Sequence, residues 1–400
     1  MGLNKIYCSY KSYQYLEPGV DYKAFELVEE IGRVPPYVVP VSEAEEERAQ
    51  RLLGDYVIVS LHDHPSVMPK DVSQIWDYES QGREVTGYEG LSVSAMDAVF
   101  DNMTDGTGPI TSKMGWKWSD IIFDLGMRSC DIAHQEMVIH CRNVNDIQRA
   151  HDNGQVALAF CLESGTMIEN EIDRIDILYG LGVRMMGIVY SESNALGTGL
   201  RETRDGGLAT FGQQAVRRMN QLGMAIDVSH ASDLTCSDTI EASRVPIFIT
   251  HAGARSLVDS RRMKPDRVLI ACAQNGGVIG IEAAPHTTIT EKHPHHNIES
   301  FMEHFEYCVN LVEIDHVGFG PDVLFGDHVS LHHAFSGHMS IEQSRAKGGV
   351  NEVPYVEGLE NPSETFPNIV RWLVKHNYMD DEIEKVIGGN ALRVLREVWY

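Results

Sequence analysis

The sequence predicts a (β/α)8 barrel of the TIM type. Eight short apolar runs, rich in β-branched residues, alternate with amphipathic segments between residues 56 and 320. Nearly continuous apolar strands that alternate with helices are typical of a parallel sheet buried on both faces, and eight such units form a TIM barrel. An open doubly wound sheet of similar content is the alternative. It is disfavoured because no G-x-G-x-x-G follows a predicted strand and no G-x-x-x-x-G-K-[ST] occurs.

Each predicted strand is a short run between turn or helix signals. Helical periodicity marks Phe211–Leu222, Pro265–Gln274 and Ile298–Glu313, and Ser42-Glu43-Ala44-Glu45 is a capping box that predicts a helix running towards Leu53. The predicted strands are Tyr56–Leu61, Met137–Cys141, Val156–Leu162, Val183–Tyr190, Met224–Ser229, Ile247–Thr250, Gly277–Glu282 and His316–Gly320.

No linker divides the chain, so we expect an N-terminal extension, residues 1–52, followed by one barrel domain, residues 53–400. Two stretches, 66–125 and 323–362, are too long for plain connections. In a barrel enzyme, long loops after strands cover the active-site face. The first stretch carries Trp76, Trp116 and Trp118, which could stack on an aromatic substrate group, and the second carries His328, His332, His333 and His338.

Charge and cysteine content limit the partners. The 400 residues include 33 Lys and Arg against 58 Asp and Glu, a net charge of −25, and so acidic a surface repels nucleic acid and anionic membranes. No apolar run approaches the roughly 20 residues of a membrane span, and the polar start, Met1 to Tyr15, does not resemble a signal peptide. Seven scattered cysteines without a C-x-x-C indicate reduced thiols, and we expect a cytoplasmic protein.

The strongest functional signal is that five predicted strands end in a histidine or a carboxylate. Residues i and i+2 of a strand share a face, so His62 and His64 can reach one ion while Asp63 points away. A barrel gathers the ends of its strands at one mouth. Imidazole and carboxylate ligands suit Zn²⁺, with Mn²⁺ and Fe²⁺ as weaker competitors. The candidate metal ligands and carboxylates at these ends are His62, His64, Glu163, His230, His251 and Asp322.

Several motifs together resemble those of the membrane (renal) dipeptidase family, zinc peptidases with a barrel fold. The resemblance covers most of the chain beyond residue 52 and is clearest between residues 206 and 282. The matching motifs are Gly207-Leu208, Phe211-Gly212, Asn220-Gln221-Leu222-Gly223-Met224, Asp227-Val228-Ser229-His230, Thr250-His251, Ser260-Arg261-Arg262, Gln274-Asn275-Gly276-Gly277-Val278-Ile279-Gly280, Asp315-His316-Val317-Gly318-Phe319-Gly320-Pro321-Asp322, Pro354 to Leu359, Gly388-Gly389-Asn390 and Leu392-Arg393-Val394.

The resemblance implies a binuclear zinc site with a nucleophilic water or hydroxide between the ions. One ion would be bound by His62 and His64 and the other by His230 and His251, with Glu163 as the bridging ligand.

Two further roles follow from the resemblance. Asp322 would take the proton from the attacking water and deliver it to the leaving nitrogen. Arg262 would hold the carboxylate of the substrate, a role that suits its planar fork of donors. The alternative for Arg262 is a surface arginine beside Arg261.

The chain departs from the family pattern at two positions. The usual His-x-Asp is His62-Asp63-His64 here, which makes the centre one charge more positive, so the second ion would be held more weakly. The family histidine after the fourth strand is replaced by Tyr190. A phenol can donate a hydrogen bond to an oxyanion, so Tyr190 would act in catalysis and substrate binding, or else it is a wall residue.

These inferences together predict a metal-dependent hydrolase that cleaves the amide bond of a dipeptide or a similar small, carboxylate-bearing amide. The alternatives are an amidohydrolase acting on an N-acyl amino acid or lactam, and a diverged barrel that binds metal without peptidase activity. Because members of the family often form dimers, a homodimer is expected.

Overall fold

Eight parallel strands form a barrel in the computed structural model, which describes residues 5–102, 117–336 and 352–399. The barrel strands are β1, β3 and β5 to β10, in the spatial order β10-β9-β8-β7-β6-β5-β3-β1. The strands of the described residues are β1 (Val59–Val67), β2 (Val85–Thr86), β3 (Ala98–Asn102), β4 (Val138–His140), β5 (Val156–Leu162), β6 (Val183–Gly187), β7 (Ala225–Asp227), β8 (Phe248–Ala252), β9 (Val278–Ile281), β10 (Val317–Phe319) and β11 (Leu324–Phe325).

Helices surround the barrel and follow most of its strands. The predicted helices at 211–222, 265–274 and 298–313 are confirmed as α7, α9 and α10, with ends that differ by a residue. The α-helices of the described residues are α1 (Glu43–Asp55), α2 (Ile75–Gln81), α3 (Tyr88–Val93), α4 (Trp118–Ile132), α5 (Val144–Asn153), α6 (Arg174–Leu181), α7 (Thr210–Leu222), α8 (Asp233–Ala242), α9 (Asp266–Gln274), α10 (Ile298–Val312), α11 (His328–Ser336), α12 (Thr365–Lys375), α13 (Asp380–Glu384) and α14 (Asn390–Val398).

The chain segment after β10 closes the barrel against β1. The amide of Asp322 donates to the carbonyl oxygen of His62 at 2.9 Å, and the amide of His64 donates to that of Val323 at 2.9 Å. Val323 in turn donates its amide to the carboxylate of Asp63 at 2.8 Å. Asp63 therefore stabilises the contact between β1 and the segment after β10, while the side chains of His62 and His64 face the mouth of the barrel.

The second barrel strand lies within residues 66–125, so the prediction of one long loop there is wrong. The strand is β3, and its register pairs Ala98 with Ala157 and Asn102 with Cys161 of β5. The range also contains α2, β2, α3 and the start of α4. The predicted strand at 137–141 exists as β4, but it pairs only with the first residues of β5 and lies off the main strand order.

The N-terminal extension is fixed to the barrel domain by a buried carboxylate, Asp131, at the end of α4. Its oxygens accept hydrogen bonds from the hydroxyl groups of Tyr10, Ser12 and Tyr88 and from the amide of Tyr13, at 2.6 to 3.0 Å. The capping box predicted at Ser42 is also confirmed, because the side chains of Ser42 and Glu45 each bond the backbone of the other.

All seven cysteines lie in the described residues and are free thiols, five of them buried. A search of the same residues finds no helix that is both long and apolar enough to span a bilayer.

Candidate metal centre

His62 and His64 lie side by side at the mouth of the barrel. They stand within β1, which continues beyond them to Val67, rather than at its end as expected. Their Nε2 atoms are 3.2 Å apart. One oxygen of Asp322 lies 3.4 Å from Nε2 of His62 and 3.2 Å from Nε2 of His64. These three buried residues form a cluster of donor atoms that could hold one metal ion.

The second pair of histidines faces Glu163. Nε2 of His230 and Nε2 of His251 are 3.0 Å apart, and Oε1 of Glu163 lies 3.1 and 3.2 Å from them. The same oxygen is 3.5 Å from Nε2 of His62. Glu163 therefore contacts a histidine of each pair, which is the position that a bridging carboxylate requires.

Hydrogen bonds at Nδ1 orient two of the histidine rings, and Asp227 holds the neighbouring backbone. The amide group of Asn102, the last residue of β3, meets Nδ1 of His62 at 2.5 Å, and the hydroxyl of Thr250 meets Nδ1 of His251 at 2.8 Å. Asp227 accepts hydrogen bonds from the hydroxyl of Ser229, at 2.6 Å, and from the amide of Thr250, at 2.8 Å. Such partners direct Nε2 of a ligand histidine towards the metal.

The electrostatics of the centre suit a divalent cation. Burial lowers the pKa of His62, and it lowers the pKa of His230 and His251 well below the usual value. These three imidazoles are therefore neutral at physiological pH, the form that binds metal. In a tetrahedral zinc site, Zn–N and Zn–O bonds of about 2.0–2.2 Å place neighbouring donor atoms roughly 3.3–3.5 Å apart. The nitrogen and oxygen donors of this centre are about 3 Å apart, which is close to that separation. The residues therefore fit a metal ion at each pair.

Asp322 follows β10 in a left-handed backbone conformation, with φ of +63°. A non-glycine residue there is uncommon, and the surrounding structure must hold it in place. Burial alone would raise its pKa, but the charge of His328 and the hydrogen bonds from His62 and His64 hold the pKa well below its usual range. Asp322 is therefore an ionised acceptor beside His62 and His64.

Arg262 lies at the site, but its guanidinium group is already paired. Its Nη2 is 2.5 Å from Oε2 of Glu282, whose side chain is 1% exposed, and its Nη1 donates to the carbonyl oxygen of Ser229 at 3.4 Å. Burial raises the pKa of Glu282 to about 7, and the hydroxyl of Thr287 donates to its other oxygen at 2.5 Å. The alternative of a free surface arginine is therefore wrong.

Tyr190 packs on a proposed ligand. Its ring is stacked on that of His230, with centroids 4.1 Å apart and planes 22° apart. The site thus includes Tyr190, and its ring limits the rotation of His230, whose Nδ1 forms no hydrogen bond with the described residues.

The tryptophans expected to cover the mouth have other contacts. Trp76 packs beside an apolar cluster that includes Met68 and Tyr78, and the guanidinium of Arg174 lies 4.9 Å above the ring of Trp118. Trp116 and His338 lie outside the described residues.

Sequence reasoning missed three polar residues of the site. Asn102 and Glu282 each follow or end an apolar run, the same signal that identified the other candidates. His328 was noted only as one histidine of a loop, and nothing in the sequence indicated that it lies near Asp322, with Nε2 4.0 Å from the second carboxylate oxygen.

Comparisons with known proteins identify the family of the chain. A family model described as membrane dipeptidase (peptidase family M19) matches residues 124–334, just over half of the chain. The dipeptidase tcpJ of Claviceps purpurea (strain 20.1) is 28% identical over 278 residues, which are 69% of this chain and 58% of that protein. The chain thus spans little more than half the length of the curated relatives that it matches first.

Solved structures share the fold. An amidohydrolase from Pseudomonas aeruginosa superimposes with a TM-score of 0.73 at 23% identity, covering 88% of this chain and 99% of that one. A metallopeptidase from Rhodobacter sphaeroides, solved with a phosphinate mimic of the dipeptide L-Ala-D-Ala, superimposes with a TM-score of 0.65 at 17% identity, covering 86% of this chain and 100% of that one. The (β/α)8 barrel expected from the sequence is thereby confirmed. On the family match and the shared fold, this chain belongs to the membrane dipeptidase family, peptidase family M19.

Proposed function

We propose that the protein is a divalent-metal hydrolase that cleaves the peptide bond of a dipeptide. The observation that carries this proposal is the position of Glu163, whose Oε1 lies within 3.1 to 3.5 Å of a histidine from each pair. Membership of a peptidase family supports the reaction class. The dipeptide mimic bound to a metallopeptidase of the same fold supports the substrate class.

The metal ligands would be His62 and His64 for one ion and His230 and His251 for the other, with Glu163 between them. We propose zinc, because the donors are imidazole and carboxylate, with the second ion held more weakly because His64 stands where the family has a carboxylate. When bound, the two ions would lower the pKa of a water molecule and polarise the substrate carbonyl.

Asp322 is the proton carrier in this proposal. Its carboxylate lies beside Nε2 of His62 and His64, where it would meet a water molecule activated by the proposed ions and accept its proton. The protonated carboxyl then donates to the nitrogen of the leaving amine. Tyr190, next to His230, would donate a hydrogen bond to the developing oxyanion.

Arg262 would hold the terminal carboxylate of the substrate from the wall of the site. Glu282 orients its guanidinium group through Nη2, and Nη1 contacts the carbonyl oxygen of Ser229. The Nε–H and the second N–H of each Nη group would then meet the substrate. An arginine that is held by one carboxylate loses less side-chain entropy when it binds a second one.

We also propose where the protein is located and how it assembles. The free thiols and the acidic composition support a cytoplasmic protein without nucleic-acid or membrane partners. The family resemblance supports a homodimer.

The test is turnover of Gly-Gly and L-Ala-D-Ala by the zinc-loaded protein, with N-acetyl-L-alanine as the comparison. We expect dipeptide hydrolysis that a chelator abolishes and zinc restores. Absence of dipeptide turnover at saturating zinc would reject the proposal, and turnover of N-acetyl-L-alanine alone would instead identify an amidohydrolase for non-peptide amides.

Asp322→Asn tests the proton carrier. We expect kcat to fall by about 10²–10⁴-fold while bound zinc is retained. Asp315→Asn is the matched control, because Asp315 precedes β10 at the opposite end of the barrel and pairs with Lys385 at the surface. Unchanged kcat in Asp322→Asn would eliminate this role.

A further inference from the structure

Three histidines form a second group beside the metal centre, and none of them has a ligand or catalytic role in the proposed function. His286 follows β9, and His328 and His332 lie on α11. Their rings approach one another, with centroids 4.4 Å apart for His328 and His332, 5.1 Å for His286 and His332, and 6.4 Å for His286 and His328. We name these three residues the imidazole cluster.

The imidazole cluster resembles the proposed ligand pairs in its geometry. His328 and His332 are four residues apart on a helix, the spacing that places two side chains on one face. Their Nε2 atoms are 3.1 Å apart, between the separations of 3.2 Å for His62 and His64 and 3.0 Å for His230 and His251. The cluster therefore presents two ring nitrogens at the spacing of two ligands on one ion.

His286 supplies a third ring at the same place. Its Nδ1 atom is buried and forms no hydrogen bond with the described residues. Burial lowers the pKa of His286 to about 3 and that of His332 well below its usual value, and the proximity of His328 lowers both further. Both rings are neutral, which is the form that binds a cation.

Asp322 connects the imidazole cluster to the proposed binuclear centre. Its Oδ1 faces His62 and His64, whereas its Oδ2 lies 4.0 Å from Nε2 of His328. The two oxygens of one carboxylate thus point to two different groups of imidazoles.

We propose that the imidazole cluster is a third site for a divalent cation of the zinc type, with His328 and His332 as its principal ligands and His286 as the third. The ring of His286, whose centroid lies 5.1 Å from that of His332, would turn its Nδ1 towards the ion, and water or Oδ2 of Asp322 would take the fourth position. The site is an addition to the two ions of the proposed function. The competing explanation is a plain hydrogen bond between the rings of His328 and His332.

The experiment measures bound zinc per chain by equilibrium dialysis against micromolar free zinc, followed by elemental analysis. The double substitution His328→Ala with His332→Ala should lower bound zinc by one ion per chain. His333→Ala is the matched control, because His333 lies on the same helix but is 57% exposed and paired with Glu352. It should leave the zinc content unchanged.

The result that overturns the proposal is equal zinc content in the double variant and the wild type, or an equal loss in the His333→Ala control. His286→Ala provides a second measurement with less effect on α11. It should weaken binding of that one ion at least tenfold in a zinc titration, and unchanged binding there would overturn the assignment of His286 as the third ligand.

Failure of this proposal can be distinguished from failure of the proposed function. The variant His230→Ala with His251→Ala removes ligands of the binuclear centre only. If it loses one ion while the imidazole-cluster variant loses none, the third site is rejected and the binuclear centre stands. The opposite pattern rejects the binuclear centre and supports the third site.

Discussion

Replacing Asp131 by Asn should release the N-terminal extension from the barrel domain. The carboxylate is fully buried and accepts four hydrogen bonds, three of them from Tyr10, Ser12 and Tyr13 of the extension. Asparagine keeps one acceptor oxygen and presents an NH₂ group to the remaining donors. Because each hydrogen bond to a buried charge contributes roughly 1.5–3 kcal/mol, losing one or two of the four lowers the free energy of unfolding by about 3 kcal/mol.

The assay is urea unfolding of the metal-free protein, followed by circular dichroism, with limited proteolysis of residues 5–41 as a local readout. Tyr10→Phe removes the hydroxyl donor but keeps the packing of the ring. It should therefore lower the free energy of unfolding by about 1.5 kcal/mol in the wild type and by much less in the Asp131→Asn variant. Additive effects of the two substitutions, or a loss below about 0.5 kcal/mol for Asp131→Asn, would refute the anchoring role.

Three shorter predictions concern the barrel, the pH dependence of stability and the substrate. Gly280→Ala should destabilise the fold by at least about 2 kcal/mol in urea unfolding, since its Cβ would lie 1.9 Å from the carbonyl oxygen of Thr250; a neutral effect would contradict this packing. The hydrogen bond with Asp97 raises the pKa of His151. His151→Gln should therefore lower the free energy of unfolding by about 1 kcal/mol below pH 6.5, and by progressively less as the pH rises through the raised pKa. A loss of stability that grows with pH would contradict this prediction. Arg262→Lys should raise KM at least tenfold for a free dipeptide but not for the dipeptide amide, and equal effects on both substrates would exclude a contact with the carboxylate.

The sequence was a good guide to the strands that carry ligands. Val156–Leu162 was predicted with its observed bounds, because a run of apolar residues between a glycine turn and a carboxylate has few other interpretations. The second barrel strand was missed, since Ala98–Asn102 contains only three apolar residues followed by two polar ones and lies in a stretch rich in Gly and Ser. The run at 137–141 carries a stronger apolar signal, although it forms only the short β4.

For the candidate site, periodicity predicted which residues face the mouth but not how they pair with one another. The approach of His62, Glu163 and His251 follows from barrel closure alone. The ion pair of Arg262 with Glu282 depends on side-chain geometry between distant segments, which no local pattern encodes. The position of His328 beside Asp322 likewise depends on where α11 packs.

Anomalous scattering at the zinc absorption edge from zinc-soaked crystals tests the central claim most directly. The account predicts two strong peaks at the barrel mouth, one within bonding distance of His62 and His64 and one within bonding distance of His230 and His251, with Glu163 contacting both. Peaks found only elsewhere, or none at these histidines, would contradict the proposed metal centre and the hydrolysis derived from it.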